Sequence, residues 1–564
     1  MLRRRLSALA AMVLCASLLL GGCKANELSS TETVGQEQQG TEGLAEGEAS
    51  GQQSAYQLME SVNVKETQVI DDKYRNYYEI FPYSFCDSNG DGVGDINGIK
   101  GKLDYLADLG INGIWLTPVY PSTTYHKYDV INYCEIDTRF GTMEDFETLM
   151  AECEARGIDV ILDLVVNHTS SHHEWFTQAV EYIKTLGEGE QPDASVCPYV
   201  DYYNFSQEFA SGYTKIEGTE WYYESRFWSE MPDLNLDSEA VRQEIDAIVQ
   251  FWLDKGVAGF RLDATTSYYT GDDTSNIAFM AWLNECVKGK KPDAYLVGEC
   301  WANKQTYSSY YASGIDSFFN FDFADQGGTI NKVLVNGSAK SFGAAIIAAD
   351  EESRAKNPDY IDAAFTSNHD TGRSGGYYAG DYATAQIKMA QGMAMMMGGN
   401  YFLYYGDEIG MKGSGDDENK RCPMQWSNAD AEGMCDSIAT KQVDMIYGSL
   451  EEQMADENSI YYFVKEGLKL RNTYPEIARG ETIMVEELSD DDVVVLQKTY
   501  EGSQLLIVMN LSDTEKVIDL TSVALNQKEA GDLTVAGMLI TGETSVLWED
   551  GKVTLPPFSM ELFQ

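Results

Sequence analysis

The chain has 564 residues, of which 43% are hydrophobic, so it is long and apolar enough to bury a large core. Asp and Glu number 90 against 40 Lys and Arg, which gives a net charge of −50. This charge argues against sequence-independent nucleic-acid binding, which needs a positive surface, and against a polybasic membrane patch.

Residues 1–22 are typical of a bacterial lipoprotein leader. Three arginines at 3–5 precede an apolar stretch at 6–20 that is too short to span a bilayer comfortably. The Leu-Gly-Gly-Cys sequence ending at Cys23 resembles a lipobox, in which the leader is removed and the Cys is diacylated. The alternative is an ordinary cleavage site with an unrelated Cys. The lipobox predicts an exported protein at the cell surface, attached to the bacterial membrane only through lipid on Cys23.

Residues 23–73 are rich in Glu, Gly, Gln, Ser and Thr, and we expect a disordered, solvated linker there. Eight further cysteines follow, at 86, 134, 153, 197, 286, 300, 422 and 435. None of them forms a C-x-x-C pair, so zinc is not expected. Their even number permits disulfides, and buried free thiols are the alternative.

Beyond residue 74, short apolar runs alternate with amphipathic helical patterns such as 99–110 and 240–256. The runs are YYEIFPYSF (77–85), INGIWLTPV (111–119), DVILDLVVN (159–167), VAGFRLDA (257–264), AYLVGEC (294–300), SFFNFDF (317–323), AAFTSNHD (363–370) and NYFLYYGDE (400–408). Apolar strands separated by helices indicate a parallel sheet, and eight of them predict a (β/α)8 TIM barrel, an α/β fold.

We expect this barrel to occupy residues 74–168 and 237–480, as domain A. The Tyr-rich, irregular stretch at 169–236 interrupts the pattern after the third run and predicts an inserted domain B. Beyond 480 the sequence changes to short strands of alternating polarity. These predict a C-terminal antiparallel β domain, domain C, a sandwich over 481–564.

Polar residues occupy the ends of several predicted strands. They are Asn167, His168, Arg261, Asp263, Glu299, His369 and Asp370. The active site of a TIM barrel lies where the carboxyl ends of its strands meet. Paired carboxylates on that rim suit glycoside hydrolysis, in which one is the nucleophile and the other protonates the leaving oxygen. Neither role needs a cofactor.

In combination, these residues resemble the α-amylase family, glycoside hydrolase family 13, over nearly all of 74–564. The matching segments are DLVVNH (163–168), MPDLN (231–235), GFRLDA (259–264), VGEC (297–300), TSNHD (366–370), YYGDEIGM (404–411) and PMQW (423–426). The MPDLN segment is most similar to that of intermediate-type bacterial α-amylases.

The resemblance implies a role for each residue of the rim. Asp263 would be the nucleophile, Glu299 the general acid and then base, and Asp370 would bind sugar hydroxyls and help to distort the ring. Arg261 lies on the same strand face as Asp263 and would keep it ionised. The other implied substrate contacts are Tyr128 by stacking, His168 and His369 as donors to hydroxyls, and His126 and Arg373.

Two departures from the family pattern affect these expectations. Many α-amylases have Lys-His shortly after the nucleophile, with the His serving a calcium site, whereas Thr265 and Thr266 stand here. The usual inter-domain calcium site is therefore not expected, despite Asn167. Lys127 also occupies a position where Gly is common.

A second loop predicts Ca²⁺ by its own composition. Oxygen-bearing residues recur at every second position from 87, with Gly between them, and such hard ligands suit Ca²⁺. The family's oligosaccharide-acting branches bind calcium in this loop. The expected ligands are Asp87, Asn89, Asp91, the carbonyl of Val93, and Asp95. The alternative is a Gly/Asp-rich turn without metal.

We therefore expect a surface-anchored, retaining α-glucan hydrolase that cleaves α-1,4 bonds in starch and maltooligosaccharides. Ala264 and Met231 favour α-1,4, because α-1,6-specific relatives tend to carry Val and Gln at those positions. The alternatives are an oligo-1,6-glucosidase, a neopullulanase or cyclomaltodextrinase, a transglycosylase, or a non-catalytic glucan-binding lipoprotein.

Overall fold

The computed structural model describes residues 53–428, 431–441, 445–525 and 533–564. The predicted leader, Cys23 and most of the predicted linker lie outside these residues. Within the described residues, no helix is long and apolar enough to cross a membrane.

Eleven described strands precede the C-terminal domain. They are β1 (Asn76–Ile80), β2 (Gly113–Leu116), β3 (Asp159–Leu164), β4 (Phe205–Ser206), β5 (Tyr213–Lys215), β6 (Tyr222–Glu224), β7 (Gly259–Leu262), β8 (Tyr295–Gly298), β9 (Ser317–Phe318), β10 (Ala363–Phe365) and β11 (Asn400–Tyr404). Eight of them form a parallel sheet in the order β10-β11-β1-β2-β3-β7-β8-β9. A parallel bridge between Phe319 and Ala363 brings its two edges together. The predicted TIM barrel is therefore confirmed, and each of the eight predicted runs contains one of its strands.

Helices connect these strands and cover the outside of the barrel. The described helices are α1 (Ala55–Val62), α2 (Ile96–Lys100), α3 (Leu103–Leu109), α4 (Met143–Glu154), α5 (Glu174–Ile183), α6 (Glu239–Asp254), α7 (Asp273–Lys290), α8 (Lys304–Tyr310), α9 (Thr329–Asn336), α10 (Ala339–Arg354), α11 (Ala383–Met395), α12 (Asp417–Lys420), α13 (Leu450–Met454), α14 (Ile460–Thr473) and α15 (Pro475–Arg479). α6 shows the general pattern, because Val241, Ile245 and Trp252 recur on one face and are buried.

Aromatic side chains fill the inside of the barrel. Tyr77 of β1 stacks on Phe402 of β11 and on Tyr295 of β8, with ring centroids 4.7 and 5.3 Å apart. Trp115 of β2 packs at 5.1 Å from Phe319. These rings form a rigid floor, and the polar rim lies above it.

The inserted segment between β3 and β7 contains α5 and the antiparallel sheet β4-β6-β5. It is joined to the barrel by the MPDLN segment. Asp233 forms an antiparallel bridge with His168, and the Leu234 N–H donates to the Asn167 carbonyl at 2.9 Å. Two of the segments that resembled the family are therefore neighbours in space.

The C-terminal domain is antiparallel, as predicted. Its described strands are β12 (Glu481–Met484), β13 (Val493–Tyr500), β14 (Ser503–Asn510), β15 (Lys516–Asp519), β16 (Val535–Ile540), β17 (Leu547–Glu549), β18 (Lys552–Leu555) and β19 (Ser559–Phe563). They form one sheet in the order β12-β13-β14-β19-β16 and a second in the order β15-β18-β17.

The expectation that residues 23–73 form a solvated linker is wrong at its C-terminal end. Ser54 caps α1 with a capping box, and Met59 of this helix is buried, because α1 packs on β16 and α14. The Asn63 amide then donates to Glu466 Oε2 and to the Met538 carbonyl at 2.8 and 3.1 Å. The apolar residues of α1 form one short face within a polar segment, and this pattern was too weak to predict a packed helix.

All eight cysteines between 86 and 435 are free thiols, and six of them are buried. Of the two alternatives, the structure therefore favours free thiols over disulfides.

Candidate active site

One arginine lies at the centre of the site. Arg261, on β7, is fully buried, and its Nη1 atom lies 2.7 Å from Asp163 Oδ1 and 2.5 Å from Asp263 Oδ1. Its Nη2 atom lies 3.0 Å from Glu299 Oε2. The register explains this arrangement, because Arg261 pairs directly with Asp163 of β3 and its side chain shares a face with that of Asp263. The predicted nucleophile and the predicted acid therefore bind the same guanidinium.

Glu299 has the surroundings that a general acid needs. Burial raises the pKa of its carboxyl above the ordinary value; Arg261 opposes this shift, and the charges of Asp263 and Asp370 add to it. A raised pKa keeps the carboxyl protonated closer to neutral pH, so that it can donate to a leaving oxygen. Its side chain is 13% exposed, which leaves one edge open to a substrate.

Ala264, the residue after the predicted nucleophile, holds Glu299 through its backbone. The Ala264 N–H donates to Glu299 Oε2 at 2.9 Å. Ala264 adopts a φ of 49°, in the left-handed region that residues with a Cβ rarely occupy. Such strain persists where the surrounding structure imposes it, and it is frequent at active sites.

Asp370 is held by two cationic partners. Its Oδ2 atom lies 3.0 Å from His369 Nε2, and its Oδ1 atom lies 2.8 Å from Arg421 Nη2. Burial raises the pKa of Asp370, but the charges of His369 and Arg421 outweigh burial, and the pKa is held far below its usual range. Asp370 is therefore an ionised acceptor, 27% exposed, that is suited to binding sugar hydroxyls.

Tyr128 lies beside these groups, half-buried. Its hydroxyl lies 2.7 Å from His369 Nε2 and donates to Asp163 Oδ2 at 3.0 Å, and its ring stacks on the His369 ring with centroids 5.6 Å apart. His126 is next to it, and its Nδ1 atom accepts from the Tyr128 N–H at 3.2 Å. Burial and the charge of Arg421 lower the pKa of His126 to about 4, so this ring is neutral.

The two histidines expected to donate to sugar hydroxyls are both buried. His168 Nε2 lies 3.2 Å from the Tyr128 carbonyl, and its Nδ1 lies 3.3 Å from the Asn167 amide nitrogen. The ring nitrogens of His369 likewise have protein partners. The structure brings both residues to the rim, and their contact with a sugar stays a prediction.

The expectation that Arg373 contacts substrate is wrong. Its guanidinium is completely buried, donates to the Tyr405 and Lys420 carbonyls at 2.6 and 2.8 Å, and lies 3.6 Å from Asp407 Oδ1. It also lies over the rings of Tyr404 and Tyr405, with centroids 4.2 and 4.5 Å away. Arg373 thus fixes the segments that follow β10 and β11.

Sequence reasoning assigned no role to four residues of the site: Glu79, Trp115, Asp163 and Arg421. Glu79 and Asp163 are charged residues within apolar strands, and that contrast was an available signal, since buried charges are rare unless paired. Trp115 donates through Nε1 to Asp163 Oδ2 at 3.3 Å. Arg421 lies in the irregular segment after β11, where no periodicity indicated its orientation.

Lys127 occupies the position where Gly is common, and its φ is 67°, which explains the preference for Gly. Its buried ammonium lies 2.6 Å from Asp137 Oδ2, and this ion pair offsets the strain. In place of a Lys-His pair, Thr265 donates through its backbone N–H to the Glu299 carbonyl at 3.1 Å.

The predicted calcium loop is a series of tight turns. Asp87 accepts the backbone N–H groups of Asn89, Gly90 and Gly92 at 2.9, 2.7 and 2.7 Å. Burial raises the pKa of Asp87, but these donors outweigh it and lower that pKa. Asp95 caps α2 by accepting the Gly98 N–H at 2.7 Å.

The side chains of this loop supply only part of a Ca²⁺ ligand set. Among the described residues, no group of three or more His, Cys, Asp or Glu side chains is arranged to hold a metal. A calcium ion here would therefore also need the Asn89 amide oxygen and the Val93 carbonyl, which are ligands of the hard type that Ca²⁺ accepts. Calcium stays a prediction.

Residues 79–480 match the family model described as "Alpha amylase, catalytic domain". The chain is 36% identical over 466 residues to Alpha-amylase 3 of Dictyoglomus thermophilum, covering 80% of this chain and 87% of that protein. It is 30% identical over 511 residues to the glucan 1,6-alpha-glucosidase of Streptococcus pneumoniae, covering 79% of this chain and 91% of that protein. Eubacterium rectale Amy13B, a solved structure, matches with 47% identity and a TM-score of 0.87, covering 90% of this chain and 98% of that one.

A TIM barrel with carboxylates on its carboxyl-terminal rim is an architecture that glycoside hydrolases use. The chain belongs to the α-amylase family and is a glycoside hydrolase that acts on glucans.

Proposed function

We propose that this enzyme hydrolyses α-1,4-glucosidic bonds in starch and maltooligosaccharides with retention of anomeric configuration. The observation that supports retention is the sharing of Arg261 by Asp263 and Glu299. Retaining enzymes need their two carboxyl groups only about 5 to 5.5 Å apart, whereas inverting enzymes keep about 6.5 to 9.5 Å between them for a water molecule. Two carboxylates that bind adjacent nitrogens of one guanidinium favour the shorter separation.

Each carboxylate then has a distinct task. Asp263, paired with Arg261, attacks the anomeric carbon and forms a glycosyl-enzyme while Glu299 gives its proton to the leaving oxygen. Glu299, now a carboxylate, takes a proton from water, which attacks the same carbon and releases Asp263. Asp370 is fixed by His369 and Arg421. It binds hydroxyls of the sugar that lies between Asp263 and Glu299.

Two observations favour the α-1,4 bond. Ala264 adjoins the nucleophile, and a Val there would be wider and stiffer, narrowing the space for an α-1,4-linked leaving sugar. The relative Alpha-amylase 3 is also more similar to this chain than the glucan 1,6-alpha-glucosidase, at 36% against 30% identity. The α-1,6 activity of the second relative is the alternative, together with hydrolysis of pullulan or cyclodextrins and transfer to sugar acceptors.

The test is a matched pair of substrates, maltotetraose and isomaltotriose, at equal concentration. We expect maltotetraose to be cleaved faster and the first product to be the α-anomer by NMR. Faster cleavage of isomaltotriose would contradict the bond assignment, and an early β-anomer would contradict retention. Asp263→Asn is the control, because contaminating glucosidases would survive that substitution.

We further propose that lipid on Cys23 anchors the enzyme to the outside of the bacterial membrane. The lipobox-like sequence supports this, and Cys23 lies outside the described residues. Wild-type protein expressed in a bacterial host should sediment with membranes, and Cys23→Ala should be released. Equal sedimentation of the two proteins would contradict lipid anchoring through Cys23.

We also propose that Ca²⁺ binds the loop at 87–95. The alternation of oxygen-bearing residues and glycines supports this, and so does the position of the loop between β1 and α2. The ion would cross-link the loop and contribute to stability rather than to the reaction at the rim.

A further inference from the structure

We infer that Glu79, a buried carboxylate on β1, is a positioning residue that keeps His369 doubly protonated and thereby holds Asp370 ionised and in place. Glu79 is 1% exposed and His369 is completely buried. Glu79 Oε1 lies 2.6 Å from His369 Nδ1, on the side of the ring opposite Asp370. None of the segments that resembled the family includes Glu79.

With Glu79 and Asp370 both ionised, the hydrogen-bond inventory favours the charged form of the ring. An ionised carboxylate only accepts hydrogen bonds. His369 presents Nδ1 to Glu79, and its Nε2 atom lies 2.7 Å from the Tyr128 hydroxyl and 3.0 Å from Asp370 Oδ2, so a proton on each nitrogen satisfies both carboxylates. A neutral imidazole carries one proton and would leave one carboxylate facing a lone pair.

Burial raises the pKa of the Glu79 carboxyl, and the charge of His369 and its hydrogen bonds oppose that shift. Burial lowers the pKa of His369, but the charges of Asp370 and Glu79 outweigh burial and raise it to about 10. The Glu79 carboxylate also accepts the His369 backbone N–H at 3.3 Å, which fixes the segment after β10 as well as the ring.

Other ionisable groups surround the ring on every side. They are Tyr128 after β2, Asp163 on β3, Arg261 on β7, Asp370 after β10, and Arg421 after β11, whose Nε donates to the His369 carbonyl at 3.1 Å. Of the acidic groups among them, Asp163 is paired with Arg261 and Asp370 is needed for substrate. Glu79 is therefore the second carboxylate, besides Asp370, that balances the imidazolium.

The test removes the charge of Glu79 and keeps its shape. Glu79→Gln retains an oxygen that accepts from Nδ1, so the ring keeps its orientation, but the imidazolium loses a counter-charge. We expect kcat at the wild-type optimum to fall about tenfold or more. We also expect the pH at which the His369 ring loses its charge, followed by NMR of protein labelled with ¹⁵N-histidine, to fall by at least one unit, with KM changed less than kcat.

Glu408→Gln is the matched control. Glu408 is a completely buried carboxylate after β11 that accepts from Tyr78 and Tyr105 at 2.6 and 2.7 Å and makes no contact with His369. Its substitution should leave the pH at which the His369 ring loses its charge unchanged, whatever its effect on melting temperature. A His369 ring that titrates in Glu79→Gln as it does in the wild type would overturn the proposal, as would an equal shift in Glu408→Gln.

A second measurement is made on the wild-type protein. The chain has only 5 histidines, so protein labelled with ¹⁵N-histidine gives few ring signals. One buried ring should show imidazolium nitrogens at pH 8, and that signal should be absent in His369→Gln. Five neutral rings at pH 8 would overturn the proposal. The kinetic assay uses whichever of maltotetraose or isomaltotriose is the better substrate, and the NMR measurement uses no substrate, so neither outcome depends on the bond assignment.

Discussion

The Ala264 N–H donates to Glu299 Oε2 at 2.9 Å from a backbone with a φ of 49°, so the residue beside the proposed nucleophile also orients the proposed general acid. Ala264 would thus have two functions, a proposed one in bond preference through its side chain and one in orienting Glu299 through its backbone. Substitutions at this position can separate them.

Ala264→Val should impair both functions. A β-branched residue in the left-handed region adds strain of about 1 to 3 kcal/mol, and relief of that strain would move the N–H away from Glu299. We expect kcat on maltotetraose to fall about tenfold and the ratio of maltotetraose to isomaltotriose rates to fall with it. Ala264→Gly adopts the same φ without strain and should keep both quantities close to wild type. An unchanged ratio in Ala264→Val would refute the steric explanation of bond preference.

The three carboxylates of the rim should each be indispensable. Asp263→Asn removes the proposed nucleophile, and Glu299→Gln removes the proposed general acid. Asp370→Asn removes the charge of a group proposed to bind the sugar hydroxyls. General acid–base catalysis alone contributes about 10²–10⁴-fold, so we expect kcat to fall at least that far in each variant. Circular dichroism should show the fold retained. Near-wild-type turnover by any one variant would refute the role of that residue.

Arg373 should matter for stability and not for substrate binding. Removing one member of a buried ion pair typically costs about 3 to 5 kcal/mol, because the remaining charge is left uncompensated. Arg373→Ala should therefore lower the melting temperature strongly and leave KM for maltotetraose unchanged. Arg354→Ala, which breaks an ion pair with Asp350 on the surface, should lower it far less. A raised KM with an unchanged melting temperature would contradict this assignment and would support a contact between Arg373 and substrate.

Removal of calcium should lower the melting temperature if the loop at 87–95 binds it. A ligand that binds only the folded state stabilises by about 2.7 kcal/mol at a hundred times its Kd, and a chelator removes that contribution. Asp91→Ala should abolish the effect of the chelator. Asp193→Ala, in an exposed turn that contains Ser195, should leave the effect intact. No change in melting temperature with chelator, together with no bound metal by elemental analysis, would argue for the metal-free turn.

The sequence predicts most of the scaffold, because each barrel strand is an apolar run and each run ends at the same rim. It also places Asp263, Glu299 and Asp370 at that rim. Arg373 was wrongly predicted to contact substrate, because its guanidinium is buried against the Tyr405 and Lys420 carbonyls and sequence spacing does not show the direction of a side chain. The sequence also shows that Lys127 replaces a common Gly. It does not show that the Lys127 ammonium forms an ion pair with Asp137, which offsets the backbone strain. Glu79 contacts His369, which lies 290 residues further along the chain, and Arg421 contacts Asp370 across 51 residues, so local spacing shows neither contact.

The docking of α1 onto the C-terminal domain has a consequence during synthesis. Asn63 bonds to Met538, which lies 475 residues further along the chain. At about 5 to 20 residues per second, a ribosome needs on the order of half a minute or more to make that partner. All the barrel strands have left the exit tunnel by then. Of the described helices, α1 is therefore the first to be synthesised, but its packing on β16 must wait until the C-terminal domain has been made. Until then its apolar face is open to chaperones and proteases.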